Sequence, residues 1–120
     1  MTVLIVDDHA EFRRSARLLL EEQGFVVVVG EAPDGAAGLR AASDLQPDLV
    51  LLDVMLPDVD GLTVAGQMSE LASPPMVVLI SSRRRGDFGP RLDRCSAQAF
   101  LHKGDLSGDV LAGLAAGPPP

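Results

Sequence analysis

The chain has 120 residues, 47% of them hydrophobic, and 17 acidic against 10 basic side chains give a formal charge of −7 at neutral pH. That length and apolar content support one packed domain whose core needs no metal or disulfide, and the single cysteine, Cys95, excludes an internal disulfide and fits a reducing compartment. The negative balance weighs against unaided binding to nucleic acid or an anionic membrane, because phosphate groups would be repelled by most of this surface.

The first apolar run, Thr2 to Val6, is too short for a signal peptide and is followed by two acids. No later run is long enough to span a bilayer, so a cytoplasmic domain is expected. Next, HAEFRRSARLLLEEQG sets Phe12, Ala16, Leu19 and Leu20 at helical spacing and predicts a helix with Gly24 as its C-cap. FVVVVG (25–30) predicts a second strand. Asp34 is placed to cap a helix running through Ser43, which Gln46-Pro47 closes. DLVLLD (48–53) predicts the third strand, and Leu62, Ala65 and Met68 form a weaker helical stripe behind it. PMVVLIS (75–81) predicts the fourth strand. The following RRRGDFGPRLDRCSAQ contains Gly86, Gly89 and Pro90 and predicts a short, mobile fourth helix. AFLH (99–102) predicts the fifth strand, and Leu106, Val110 and Leu114 mark a last helix. The tail 117–120, GPPP, reads as a frayed end or the start of a linker, which leaves 1–116 as the domain.

All five runs are short, rich in Val, Ile and Leu, and apolar on both faces, as buried parallel strands are. Strand and helix alternate five times. Right-handed crossovers then give an α/β fold: a five-stranded parallel sheet flanked by five helices lying on both faces.

Ligands of open parallel sheets bind outside the carboxyl ends of the strands. There the first strand ends at Asp7-Asp8, the third at Asp53, the fourth at Ser81-Ser82, and the fifth just before Lys103, the only lysine beside nine arginines. Taken singly, each has a plainer reading. Asp8 could cap a helix, Asp53 could close a turn, Ser81 or Ser82 could cap the fourth helix, Lys103 could be solvated, and Phe100 could be core. Together they form a set. Three carboxylates within roughly 5 Å repel by about 3 kcal/mol per pair at an effective dielectric near 20. A hard divalent cation such as Mg²⁺ relieves that repulsion through carboxylates, a carbonyl, waters and phosphate oxygens. Lys103 adds a compact charge able to pair with a carboxylate or a phosphoryl oxygen, and Ser81 a hydroxyl. An acid nucleophile, a metal, a cation and a hydroxyl suit the attachment of phosphate to a carboxylate.

The chain resembles the receiver domain of two-component response regulators from Thr2 to about Ala116. The resemblance is carried by VLIVDD (3–8), LLDVMLPDVDG (51–61), VVLISS (77–82) and FLHK (100–103), with Pro57 four and Gly61 eight residues after Asp53. It implies a flavodoxin-like strand order, 2-1-3-4-5. It also implies that Asp53 is the phosphoacceptor, supplied by the phosphohistidine of a sensor histidine kinase. Asp8 and Asp53 would then ligate Mg²⁺ through carboxylates and Met55 through its backbone carbonyl, while Asp7 holds a metal-bound water. Lys103 would contact the phosphate, and Ser81 and Phe100 would be the switch residues. Met55, Ser82 and Arg83 would tune access to the phosphate. The resemblance implies no enzyme beyond the domain's own phosphorylation and dephosphorylation. The switched surface of helix four, strand five and helix five would act on an output domain or protein, or form a phosphorylation-dependent homodimer. VVGEAPDG (28–35) and FLHK followed by Gly104 in place of Pro resemble receivers joined to LuxR-type DNA-binding domains, which makes transcription an expected output.

Three other readings fit less well. A phosphohydrolase of the haloacid-dehalogenase type carries its nucleophile after the first strand in an Asp-x-Asp pattern, whereas here the acids are adjacent. A nucleotide-binding Rossmann domain needs a Gly-rich first turn, and acids there would repel phosphate. A phosphate-independent interaction module would usually have lost an acid or the lysine, and this chain keeps them all.

Overall fold

The computed structural model describes residues 1–93 and 97–115. Cys95, the expected boundary at Ala116 and the tail 117–120 lie outside the described residues. Five strands, β1 (Thr2–Val6), β2 (Val27–Ala32), β3 (Leu49–Asp53), β4 (Met76–Ser81) and β5 (Ala99–His102), form one parallel sheet in the order β2-β1-β3-β4-β5. The connecting helices are α1 (Ala10–Glu21), α2 (Gly35–Leu45), α3 (Gly61–Ser69), α4 (Pro90–Asp93) and α5 (Gly108–Ala115). Among the described residues no helix is long and apolar enough to cross a membrane.

Strand alternation sorts the core into two halves. Val3, Ile5, Leu49, Leu51, Val78 and Ile80 face the side of α1, where Ala16 and Leu20 are buried and Leu106 and Leu114 pack. Leu4, Val6, Val50, Leu52, Val77 and Leu79 face the other side, against Ala42 of α2, Val64, Ala65 and Met68 of α3, and Leu92 of α4. β1 and β3 are buried on both faces, as expected of central parallel strands.

The edges depart from that expectation. β2 starts at Val27 and runs to Ala32, later than the apolar run 25–30 suggests. It must match β1 from Thr2↔Val27 to Val6↔Ala32, so Gly30, Glu31 and Ala32 are drawn into the ladder. As an edge strand it leaves Val27 58% exposed, and Phe25 just before it is 52% exposed. At the other edge every residue of β5 is only partly buried.

Helix ends shift for similar local reasons. α1 ends at Glu21 with Glu22 as its cap, and Gly24 makes the left-handed turn two residues on, at φ +73°. α2 continues to Leu45, beyond Ser43, because Gln46 adopts the left-handed region at φ 49° and still donates to the Ala42 carbonyl at 3.1 Å. The N-terminus of α2 is capped as expected, Asp34 accepting from the Ala37 N–H at 2.8 Å. In α3 the buried stripe is Val64, Ala65 and Met68, with Leu62 only partly buried, and Leu106 precedes α5 instead of lying on it. Among the described residues the fourth helical segment comprises a 3₁₀ turn over Arg85–Phe88 and an α-helical turn at Pro90–Asp93, separated by Gly89 at φ +62°.

Candidate functional site

The sheet delivers its acids inward. Among the described residues the buried polar and charged ones are Asp7, Asp53 and Ser81, exposed by 0%, 2% and 0%. They stand one beside the next at the carboxyl ends of β1, β3 and β4. Asp7 leaves β1 with its N–H still donating to Ala32 of β2 at 3.0 Å. Asp53 is the last residue of β3, opposite Ile80 in the ladder, and Ser81 follows Ile80.

Lys103 closes the group from β5. Its Nζ lies 2.5 Å from Asp7 Oδ2 and 3.3 Å from Asp53 Oδ2, and its side chain is only 14% exposed. Asp7 Oδ2 makes no hydrogen bond of acceptable angle, so the lysine reaches it as a charge contact. Asp53 Oδ1 accepts from the Met55 N–H at 3.0 Å. Burial pushes the Asp53 carboxyl above its ordinary range, the Met55 N–H opposes that, the neighbouring Asp7 charge adds to it, and Lys103 opposes it again.

Asp8 stands at the mouth, with its side chain 35% exposed. It does not cap α1. That position belongs to His9, which makes no side-chain cap. His9 instead turns its ring to the acids, with Nδ1 3.0 Å from Asp7 Oδ1 and 3.1 Å from Asp8 Oδ1. One ligand atom each from Asp7, Asp8, His9 and Asp53 all lie within 4.8 Å of one another. Hard oxygen donors this close, one of them a buried carboxylate oxygen without a hydrogen bond, fit a hard divalent cation.

The remaining expected residues surround this centre. Ser81 Oγ accepts from the Arg83 N–H at 3.0 Å. Ser82 and Arg83 are exposed, and the Met55 side chain is 51% exposed. Phe100 sits on β5 facing the α3/α4 half of the core, its ring edge-on to Phe88 with centroids 5.9 Å apart. It also lines a cavity of about 230 Å³ with Arg84, Leu101, His102 and Asp105. The Lys103–Gly104 bond is trans.

Gly61 has a concrete reason to be glycine. A Cβ there would lie 2.2 Å from the Asp53 carbonyl oxygen and 2.7 Å from Val54 Cα. Its N–H donates to the Val54 carbonyl at 2.8 Å, so α3 begins pressed against the end of β3. Asp58, in the same loop, accepts from the N–H groups of Gly35 and Ala36 at 2.8 and 3.0 Å, and these bonds hold its carboxyl below the ordinary range.

Sequence reading missed three neighbours of the acids. His9 directly follows the acid pair but looked like the start of a helix. Phe12 looked like helix core, yet Lys103 Nζ lies 4.6 Å from its ring centroid. Arg13 donates from Nη1 to the Asp7 carbonyl at 2.5 Å and from Nε to Glu31 at 3.1 Å. The available signal was helical spacing: Phe12 follows Asp8 by four residues, about one turn, which returns it to the same rim.

A buried acid pair bridged by a lysine at the carboxyl end of a five-stranded parallel sheet defines a class, and residues 3–111 match the response regulator receiver domain. The chain belongs to that family. It is 38% identical over 109 residues to a transcriptional regulator of Pseudomonas aeruginosa, covering 91% of this chain and 52% of that protein. It is 44% identical over 101 residues to a protein-glutamate methylesterase/protein-glutamine glutaminase of Geobacter sulfurreducens, covering 84% of this chain and 27% of that one. The chain thus spans about half or less of these curated relatives. Among solved structures it resembles the signal receiver domain of the response regulator NarL from Mycobacterium tuberculosis, with 34% identity, a TM-score of 0.87, and 98% and 97% of the two chains covered.

Proposed function

We propose that this domain takes a phosphoryl group from the phosphohistidine of a sensor histidine kinase onto Asp53 and thereby switches an output. The observation that carries the reading is the only lysine of the chain, held between two buried carboxylates at 2.5 and 3.3 Å. A partly buried cation between buried acids is a costly arrangement that a phosphate-binding task explains.

In this reading an Asp53 oxygen attacks the phosphorus. The new O–P bond forms as the P–N bond breaks, and the imidazole of the donor keeps the electron pair. Asp8, Asp53 and the Met55 carbonyl would hold a Mg²⁺ ion, with Asp7 acting through water, and that ion would supply charge neutralisation for the phosphoryl oxygens. Lys103 shifts from the carboxylates to a phosphoryl oxygen. The Ser81 hydroxyl, now an acceptor from Arg83 N–H, turns to donate to another. Phe100 rotates inward into the space this opens, and the surface of α4, β5 and α5 changes with it. Met55, Ser82 and Arg83 border the mouth and govern the access of water, and so the lifetime of the acyl phosphate.

The domain comprises residues 1–116, with 117–120 a tail or the start of a linker, and works in the cytoplasm. Its output is a separate domain or protein of the LuxR-type transcriptional kind, reached directly or through a phosphorylation-dependent homodimer.

Intact-mass measurement after incubation with acetyl phosphate, with and without Mg²⁺, tests the core of this. The expected result is one added phosphoryl group that requires both Mg²⁺ and Asp53, absent in Asp53→Asn. An unmodified chain that also releases no inorganic phosphate overturns it.

A further inference from the structure

Lys103 has more than carboxylates around it. Its Nζ lies 4.6 Å from the centroid of the Phe12 ring, presented by the first turns of α1. The ammonium therefore has Asp7 of the β1 end at 2.5 Å, Asp53 of β3 at 3.3 Å, and an aromatic face from α1. An ammonium carries three N–H donors and sits on a flexible four-carbon stem. Two donors have carboxylates within reach. The ring stands where water would otherwise solvate the group, in keeping with a side chain only 14% exposed.

We propose that Phe12 is a positioning residue: its ring face holds the Lys103 ammonium over the acids and keeps it from swinging out to solvent. The inference rests on the reading of Asp53 as phosphoacceptor and adds to it a residue outside the set of acids, hydroxyl and lysine. The negative face of an aromatic ring attracts a cation, and more strongly once the cation is stripped of water. An aliphatic side chain of similar bulk would fill the same space without that attraction. Phe12 also packs against the α1 half of the core, so a purely structural role is the alternative the test must exclude.

The sequence supplies a selective probe. Lys103 is the only lysine, so acylation by an amine-reactive ester, read on the peptide that contains it, reports this one ammonium. The experiment compares the parent with Phe12→Leu and Phe12→Tyr in three measurements: thermal stability, Lys103 acylation rate, and phosphorylation rate with acetyl phosphate and Mg²⁺. In Phe12→Leu, Lys103 should acylate about three- to tenfold faster and phosphorylation should slow by a similar factor, the size of a partly desolvated cation–π contact. Phe12→Tyr, which keeps the ring face, should behave like the parent in both. Should Phe12→Leu fail to fold, Phe12→Met takes its place with the same expected outcome.

Parental acylation and phosphorylation in the aliphatic variant overturn the proposal. So does an equal loss in the Tyr and aliphatic variants, which would leave Phe12 a packing residue. If the parent itself takes up no phosphoryl group, the phosphoacceptor reading fails, and the acylation rates still decide whether Phe12 holds the lysine.

Discussion

Lys103 lies closer to Asp7 than to Asp53, at 2.5 Å against 3.3 Å. The lysine therefore balances a fully buried acid as well as the candidate phosphoacceptor. Removing it leaves two buried carboxylates facing each other uncompensated. Lys103→Met is expected to destabilise the metal-free domain by about 2 kcal/mol, discounted from the ~3–5 kcal/mol of a fully buried pair because Asp8 and the mouth admit water. Millimolar Mg²⁺ should restore most of the loss. Urea unfolding with EDTA or with Mg²⁺ measures both, and a variant as stable as the parent in EDTA would show that the pair contributes nothing. Lys103→Arg should fold but phosphorylate more slowly, because a planar guanidinium cannot occupy the same point between two acids.

Asp53 is the acid whose burial works against its charge. Its carboxyl is raised above the ordinary value of 3.8, chiefly by desolvation. The folded chain thus binds the Asp53 proton more tightly than the unfolded chain does. Stability from this group is fully present below the ordinary value and is lost as pH rises through the raised one. Asp53→Asn removes that dependence. In EDTA the variant should match or exceed the parent at neutral pH, with its advantage shrinking toward acid pH. Denaturant melts at about pH 4 and about pH 8 provide the check, and a large loss of stability at pH 8 would contradict it.

The parts of this site that the sequence made legible are those a strand pattern can index. Asp7, Asp8, Asp53, Ser81 and Lys103 each follow an apolar run, and parallel strands put the ends of such runs on one rim. Depth was not legible. A strand-end acid reads as a surface group, yet Asp7 and Asp53 are interior: α1 begins three residues after Asp7, and the loop after Asp53 folds back so that α3 is held against it through Gly61. Contacts made across elements were equally hidden. Phe12 and Lys103 are 91 positions apart, and they meet because the lysine reaches from the edge strand β5 back past Asp53 to Asp7 at the end of β1, which α1 follows. The edge strands escaped for a different reason. The run 25–30 is apolar, but its pairing is dictated by the length of β1 and not by its own composition.

Asp58 ties the loop after β3 to the start of α2 by accepting from Gly35 and Ala36. These bonds favour the charged carboxylate and lower its pKa. Its contribution is therefore present above the ordinary value of 3.8 and is lost as pH falls through the depressed one. Asp58→Ala should lower the melting temperature at pH 7, and the gap to the parent should close as pH is taken from about 5 to about 2. A gap that is constant across that range would assign the effect to lost packing.

Gly61→Ala tests whether the loop after Asp53 is built to a fixed distance. The added methyl would stand 2.2 Å from the Asp53 carbonyl oxygen, 2.7 Å from Val54 Cα and 3.0 Å from the Asp53 carbonyl carbon. These are backbone atoms at and just after the end of a central strand, so no side-chain rotation can relieve the clash. Either α3 must move away, breaking the bond from Gly61 N–H to the Val54 carbonyl, or the end of β3 must shift. The cost should be about 3 kcal/mol, the upper range for overpacking, because the obstacle is rigid. A shift of β3 would also drag Asp53 away from Lys103. Phosphorylation by acetyl phosphate should then fall further in Gly61→Ala than in a control of equal stability loss elsewhere, such as Val64→Ala on the buried face of the same helix. Matched urea unfolding and phosphorylation rates for the two variants decide the matter: equal phosphorylation at equal stability would mean that Gly61 serves the fold and not the placement of Asp53.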